Sequence, residues 1–291
     1  MPSSERIMRV AAIHDISCFG RCALTVVIPV ISAMGIQAVP VPTALLSTHT
    51  GGFDDLYFRD LTDDMVGIED HFSRLGLEFD AVYTGFLGSE RQISVVSDFL
   101  CRFGKKDCLR FIDPVMGDDG ALYSTYNDRL AAGMRQLCKS ADIITPNLTE
   151  ACYLTGTEYE DTEKMSETDA AAFAADICLK MESLTDADIV ITGINSCNGN
   201  IGCYTFTGGH GSFFSRPRVG TGYPGTGELF ASVMLGKLLK KESFLDAAIG
   251  AADFTRRAVE YSLKFTSPVR EGVTFEPLLG DLAYGNDRIT M

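Results

Sequence analysis

The sequence lacks an excess of basic residues. Its 25 lysines and arginines stand against 39 aspartates and glutamates, which gives a formal net charge of −14 at pH 7. Such a charge repels a nucleic-acid backbone and an anionic membrane surface unless a local basic patch compensates, and the sequence contains no such patch. We therefore expect neither a nucleic acid nor a membrane among its partners.

The sequence also lacks a secretory signal and an apolar stretch of transmembrane length. Charged residues interrupt the first turns of the chain, MPSSERIMRV, and no apolar run reaches the roughly 20 residues that cross a bilayer. These two features predict a cytoplasmic protein.

The nine cysteines form no CxxC motif, and no histidine lies at zinc-finger spacing from any of them. Their odd number and scattered positions favour reduced thiols. Cys18 and Cys22 lie close to a candidate substrate site, but we interpret both as small apolar residues that fill a strand-to-helix corner.

Apolar residues are abundant, at 46% of the 291 residues, and no repeat or change in composition divides the chain. We expect residues 1–291 to form a single domain. Short runs rich in Val and Ile alternate with stretches of helical period, which predicts a three-layer α/β/α fold with a mainly parallel central sheet.

The alternation places the predicted elements. Strands are predicted at 8–13, 37–42, 81–84, 109–112, 142–144 and 188–192, and helices at 62–75, 89–103, 226–240 and 243–264. Met65, Ile68, Phe72 and Leu75 form the expected core face of the first of these helices. Alternation around a Gly-Gly-His-Gly turn predicts an antiparallel hairpin at 200–218, at one edge of the sheet.

A glycine-rich turn, GTGYPGTGE at 220–228, leads directly into an apolar helical pattern. Backbone N–H groups freed by glycine at a helix N-terminus can bind anionic oxygens, including those of a transferring phosphoryl group. No lysine follows the last glycine, so this is not a Walker motif, and the absence of GxGxxG after the first strand argues against a dinucleotide-dependent oxidoreductase. A turn that only starts a helix, with Thr226 as its cap, is the alternative interpretation.

The end of this turn, Gly225-Thr226-Gly227-Glu228, resembles the G-[AT]-G-D anion-hole motif of ribokinase-like kinases. Three further segments agree with that family in order and spacing: HTG at 49–51, DPVMGD at 113–118, and ADIITPN at 141–147 with Glu150. Over essentially its whole length the chain resembles the pyridoxal and pyridoxamine kinases, the vitamin B6 kinases of the ribokinase-like superfamily.

The resemblance implies an ATP-dependent kinase that phosphorylates the 5′-hydroxymethyl group of pyridoxamine or pyridoxal, as in pyridoxal 5′-phosphate salvage. Glu228 would be the catalytic base, and Gly225, Thr226 and Gly227 would form the anion hole. Position 228 is glutamate where the family carries aspartate, and a misplacement of about an ångström can cost on the order of 100-fold in rate. We expect activity to be retained because the other residues of the motif set are in place.

The remaining site residues follow from the same resemblance. Asp113 and Asp118 offer carboxylates to Mg²⁺, which prefers oxygen ligands, and Thr145 and Glu150 would orient the hydrated ion. The expected nucleotide-binding residues are Asn147, Thr192, Gly193 and Thr226. The expected substrate-binding residues are Asp15, Ser17, His49, Thr50 and Phe86, of which Phe86 would form an aromatic wall against a pyridine ring.

Two alternative functions stay open. A hydroxymethylpyrimidine kinase would use the same flat ring and acceptor group, although the HTG segment favours a pyridine. A non-catalytic protein that binds B6 vitamers, with transfer disabled by Glu228, would bind its ligand without releasing ADP. The resemblance further implies a homodimer, a flap over the site, and room for a monovalent cation such as K⁺ near the anion hole.

Overall fold

The structure is a computed structural model that describes residues 6–104 and 107–283. Its strands are β1 (Arg9–Phe19), β2 (Gln37–Thr48), β3 (Phe58–Asp60), β4 (Ala81–Thr84), β5 (Leu109–Ile112), β6 (Gly117–Asp118), β7 (Ala121–Leu122), β8 (Ile143–Ile144), β9 (Asp188–Asn195), β10 (Asn200–Thr207) and β11 (His210–Pro217). Nine of them form one sheet in the order β11-β10-β9-β8-β5-β4-β1-β2-β3, and β6 pairs with β7 as a separate small hairpin.

The centre of the sheet is parallel and its edges are antiparallel. The strands β2, β1, β4, β5, β8 and β9 run in one direction, whereas β10 and β11 extend one edge and β3 pairs antiparallel with β2 at the other. The predicted edge hairpin is confirmed, with its turn at Gly208 and Gly209. The short strand β3 was not predicted, because three exposed residues carry no alternating pattern.

Helices cover both faces of the sheet, which confirms the three-layer α/β/α prediction. They are α1 (Leu24–Ala33), α2 (Thr62–Arg74), α3 (Glu90–Phe103), α4 (Asp128–Cys138), α5 (Leu148–Thr155), α6 (Glu167–Met181), α7 (Thr226–Leu239), α8 (Phe244–Ser262) and α9 (Leu279–Ala283). The helices α2 to α6 pack on one face, and α1, α7, α8 and α9 on the other. Among the described residues, no helix has both the length and the apolar composition that crossing a bilayer requires.

The four predicted helices agree with the observed ones to within two residues at each end. Side chains of Ser89 and Ser243 accept hydrogen bonds from the first turns of α3 and α8, so polar caps define these starts. The expected core face of α2 is only partly right. Met65 is buried, but Leu75 follows the last residue of the helix and is 58% exposed.

Strands β1 and β2 continue well past their predicted ends. A register shift between His14 and Ile16 marks a bulge at Asp15, after which the two strands pair up to Phe19 and Thr48. Asp15 and Ser17, which were expected after the first strand, therefore lie within it. Residues 16–19, 45–48 and 58–60 form what we call the three-stranded extension at the carboxyl edge of the sheet.

Candidate active site

The glycine-rich turn at 220–228 places the N-terminus of α7 at the carboxyl edge of the sheet. Gly225 adopts a φ of 83°, and a Cβ atom there would lie 2.2 Å from the carbonyl oxygen of Arg21, so only glycine fits. The Thr226 hydroxyl donates to the carbonyl of Tyr223 at 2.9 Å, and α7 has no side-chain cap. The interpretation of Thr226 as a helix cap is therefore wrong. Among the described residues, no side chain caps the first amides of α7, which are available to an anionic ligand, with open space beside Gly227.

Glu228 is the third residue of α7, and its carboxylate reaches across to the start of α1. Its Oε1 accepts hydrogen bonds from the Cys22 thiol and from the Ala23 N–H, each at 3.2 Å. The interpretation of the two cysteines as apolar fillers is thus wrong, because Cys22 bonds to a carboxylate and Cys18 is exposed on β1. All nine cysteines are free thiols.

Asp15 and Ser17 lie on β1, and Asp15 is close enough to Glu228 for the two charges to interact. The Ser17 hydroxyl donates to Asp15 Oδ2 at 3.0 Å, and both side chains are buried. Burial, and then the negative charge of Glu228, raise the pKa of Asp15 to about 6, although the Ser17 hydrogen bond opposes the shift. Phe86 is half-buried, with its ring centroid 6.1 Å from that of Tyr126 in an edge-to-face arrangement.

His49 and Thr50 follow the end of β2. The Nδ1 atom of His49 accepts from the Gly51 N–H at 3.1 Å, which leaves Nε2 as the protonated nitrogen that donates to the Arg270 carbonyl at 2.6 Å. Both ring nitrogens are thus engaged by backbone groups. A hydrogen bond from His49 to a substrate would require one of these two bonds to be exchanged. Thr50 is exposed at the surface of the same loop.

Two buried carboxylates, Asp113 and Glu150, lie close to each other, and the charge of Glu228 also reaches Asp113. Asp113 follows β5 and is 6% exposed. Burial raises the pKa of Asp113 well above its ordinary value, and the charges of Glu150 and Glu228 raise it further. The Glu150 carboxylate accepts from the backbone N–H of Met116 at 3.0 Å and of Asn147 at 2.8 Å. Glu150 therefore fixes the loop that carries the aspartates.

These groups fit a hydrated magnesium ion. Asp118 is exposed on the β6–β7 hairpin, and the buried hydroxyl of Thr145 has no hydrogen-bond partner within the described ranges. Mg²⁺ binds hard oxygens and keeps several waters, and a positive charge would stabilise the crowded carboxylates. The described residues contain no group of three or more His, Cys, Asp or Glu side chains able to chelate an ion directly. An ion here would therefore draw the rest of its ligands from water and from a bound phosphate.

The predicted nucleotide-binding residues lie beside these acids. Asn147 caps α5, with its Oδ1 accepting from the Glu150 N–H at 2.9 Å and its Nδ2 donating to the Gly117 carbonyl at 2.8 Å. Asn147 also pairs with Thr192 through an isolated parallel bridge. Thr192 and Gly193 form a bulge in β9, and the φ of 72° at Gly193 explains why glycine stands there.

The sequence reasoning missed Ala23 and Tyr123 altogether, and it missed the polar role of Cys22, which it had interpreted as an apolar residue near the site. Tyr123 follows β7 and is 39% exposed, and burial together with the charges of Glu150 and Asp118 raises the pKa of its hydroxyl. This hydroxyl is therefore a donor at neutral pH. No local motif marks any of the three, because their approach to the site depends on contacts between segments distant in sequence.

A free helix N-terminus, a carboxylate on its first turn and a second set of acids at neighbouring strand ends define a small-molecule phosphotransferase of the ribokinase-like fold. The chain belongs to the phosphomethylpyrimidine kinase family, whose model matches residues 24–271.

Individual relatives agree with this assignment. The pyridoxine/pyridoxal/pyridoxamine kinase of Bordetella avium is 28% identical over 84% of this chain and 81% of its own. The crystal structure of pyridoxal kinase from Lactobacillus plantarum is 29% identical, with a TM-score of 0.87, over 98% of this chain and 100% of that one. A candidate phosphomethylpyrimidine kinase from Bacteroides thetaiotaomicron, in a crystal form with pyridoxal, is 35% identical, with a TM-score of 0.88, over 98% of both chains. The expected resemblance to ribokinase-like pyridoxal kinases is confirmed.

Proposed function

We propose that this protein transfers the γ-phosphoryl group of ATP to the 5′-hydroxymethyl group of pyridoxal or pyridoxamine. The observation that carries the proposal is the position of Glu228. Its carboxylate stands on the first turn of a helix with free amides, between the substrate-side Asp15 and the metal-side Asp113, and its charge acts on both. Relatives that are named as kinases of B6 vitamers support the choice of substrate.

The chemistry follows from this arrangement. The acceptor hydroxymethyl oxygen attacks the γ-phosphorus, and the bond from that phosphorus to the bridging oxygen breaks, so that its electron pair leaves with ADP. Glu228 accepts the proton of the attacking hydroxyl. The amides of Gly225 to Gly227 stabilise the charge on the transferring group from the helix N-terminus.

Nucleotide and metal would occupy the opposite side of Glu228. Asp113 and Asp118 would hold Mg²⁺ through oxygen ligands and water, with Thr145 and Glu150 orienting the hydrated ion. The bound ion would neutralise the phosphate charge that develops during transfer. Asn147, Thr192, Gly193 and Thr226 would border the nucleotide, and a monovalent cation such as K⁺ would assist near the anion hole.

On the substrate side, Phe86 would cover one face of the pyridine ring, and Asp15, Ser17 and Thr50 would contact its polar groups. His49 would hold the loop of Thr50 in place and reach the ring only after exchanging a backbone hydrogen bond. Because burial and Glu228 raise the pKa of Asp15 to about 6, its carboxyl group titrates close to neutral pH. It could thus accept from the ring or donate to it.

A hydroxymethylpyrimidine is the second candidate acceptor. The matching family is described by its phosphomethylpyrimidine kinases, and the 35% identical Bacteroides protein carries that description although its crystal contains pyridoxal. The acceptor hydroxymethyl group and the ring size are shared, so the same site chemistry serves both.

At the level of the whole chain, we propose a single kinase domain over residues 1–291 that works as a cytoplasmic homodimer. The single nine-stranded sheet supports one domain. Exposed aromatic side chains on and beside the three-stranded extension, Phe19, Tyr57 and Phe58, support association through that edge.

The test is ADP release with Mg²⁺ and ATP, comparing pyridoxamine, pyridoxal, pyridoxine and hydroxymethylpyrimidine with no acceptor. We expect release that depends on a B6 vitamer, and a loss on the order of 1,000-fold in Glu228→Gln because the base is removed. Glu182→Gln makes the same chemical change at an exposed position after α6 and should retain activity. Binding of a vitamer without ADP release would contradict the proposal and leave a vitamer-binding protein.

A further inference from the structure

We propose that Cys22 is a positioning residue for Glu228. Its thiol and the Ala23 N–H together hold one carboxylate oxygen and direct the other towards the acceptor hydroxyl. The inference rests on the proposed function. It gives a role in that function to a residue that lies outside the glycine-rich turn.

The geometry at the carboxylate is asymmetric. Both hydrogen bonds, from Cys22 Sγ and from the Ala23 N–H, end on Oε1 at 3.2 Å. Within the described residues, no hydrogen bond reaches Oε2. A carboxylate held by one oxygen leaves the lone pairs of the other to take a proton.

The backbone around Cys22 is built to present these donors. Ala23 has a φ of 50° and a ψ of −132°, a strained conformation that non-glycine residues rarely adopt. The Thr25 hydroxyl donates to the Cys22 carbonyl at 2.7 Å, and its oxygen accepts from the Cys22 N–H at 3.2 Å. No side chain of α1 caps its N-terminus, and the carboxylate of Glu228 takes that place.

The sulfur keeps its proton in this setting. Burial, and then the charges of Glu228 and Asp15, raise the pKa of the Cys22 thiol well above its ordinary value. A protonated thiol can only be the donor to the carboxylate. The half-buried sulfur is thus a hydrogen-bonding group and not a nucleophile at neutral pH.

The contact also gives a reason for glutamate at position 228. An aspartate is shorter by one methylene, about 1.5 Å, and would lose contact with the two donors from α1. We therefore expect Glu228→Asp to lower kcat on the order of 10-fold, although aspartate is the residue of the resembled motif. Full activity of Glu228→Asp would contradict this explanation.

Kinetics test the positioning role. Cys22→Ala should lower kcat on the order of 10-fold, with the KM for ATP and for the acceptor changed less than about 2-fold, because only the orientation of the base is lost. Cys22→Ser keeps a donor and should recover most of the activity. In the Glu228→Gln background, Cys22→Ala should have no further effect. Equal losses in Cys22→Ala and Cys22→Ser, or a change confined to KM, would overturn the proposal.

A substrate-free measurement separates this inference from the proposed function. Iodoacetamide alkylation of Cys22, followed by peptide mass spectrometry, should be on the order of 10-fold faster at pH 8.5 in Glu228→Gln than in the wild type, since the negative charge that raises the pKa of the thiol is gone and only a neutral amide acceptor remains. The exposed Cys18 serves as internal control and should not change. An unchanged rate at Cys22 would sink the inference. If Cys22 is alkylated faster in Glu228→Gln but the wild type phosphorylates none of the acceptors, the result would support the Cys22–Glu228 contact and contradict the proposed kinase activity.

Discussion

At the residue scale, the carboxylates of the site lower the stability of the folded protein. Asp15 is 6% exposed and lies close enough to Glu228 for that charge to raise its pKa. Ionised carboxylates that repel one another destabilise the folded protein, and they persist at binding sites because a ligand or cation compensates them. We therefore expect the wild-type protein to be less stable to unfolding than a variant in which a neutral side chain of the same shape replaces Asp15.

The variant Asp15→Asn tests this expectation. The pKa of Asp15 rises from its ordinary value of 3.8 to about 6 in the folded protein, so the folded state loses stability as the pH rises from about 4 to 6. Asparagine keeps an acceptor for Ser17 without ionising. We expect urea unfolding at pH 8 to give Asp15→Asn an advantage of about 1 to 3 kcal/mol, and roughly half of that at pH 5.

The control for this experiment is Asp186→Asn, which changes an exposed aspartate in the same way. It should show no advantage at either pH. A stability difference for Asp15→Asn that stayed constant from pH 5 to pH 8 would mean that titration of Asp15 is not its cause.

At the element scale, the two glycines at the start of α7 differ in their structural environment. Gly225 has a positive φ and lies against the Arg21 carbonyl, whereas a Cβ at Gly227 would meet no atom within 4 Å. Gly225→Ala should lower the free energy of unfolding on the order of 2 to 4 kcal/mol through backbone strain and the clash. Gly227→Ala should be neutral or stabilising by up to about 1 kcal/mol, since alanine favours the helix.

Thermal and urea unfolding of both variants measure the difference. The pair separates the need for a tight approach from a general preference of the turn for glycine. Equal stabilities of the two alanine variants would contradict the role assigned to Gly225.

Local pattern predicted the positions of the main sheet strands and of α2, α3, α7 and α8, whereas α1, α4, α5, α6 and α9 were not predicted. One face of α3 repeats apolar residues at helical spacing, and Ile93, Val96 and Leu100 on that face are all buried. The far end of β1 was not predicted, because its pairing with β2 beyond the bulge is a contact between strands and leaves no local period. The exposed Leu75 was misplaced because helical spacing alone does not show where α2 ends.

At the scale of the whole molecule, the edges of the sheet differ. The hairpin β10–β11 closes one edge, while the other ends at the short β3, in which Phe58 is 46% exposed and before which Tyr57 is 59% exposed. Exposed aromatics next to an open edge strand are typical of an association surface. We expect the wild type to be a homodimer that Phe58→Asp converts to a monomer at micromolar concentration.

Light scattering coupled to size exclusion measures this outcome. Phe265→Asp changes an aromatic residue of similar exposure, 48%, after α8, and should leave the dimer intact. Dissociation by Phe265→Asp together with an intact dimer in Phe58→Asp would place the interface elsewhere.

Local sequence patterns were enough to predict six strands of the central sheet with its edge hairpin, four of the helices, including the one that starts at the glycine-rich turn, and the acid that follows β5. These depend on periodicity and on turn chemistry, which act over a few residues. Tertiary packing was needed to show that Cys22 and Ala23 hold Glu228, that backbone groups occupy both nitrogens of His49, and that Asp15 lies within a strand. Apart from the local bond between Gly51 and His49, each of these is a contact or a pairing between segments far apart in the chain, and such contacts are fixed by packing and not by local pattern.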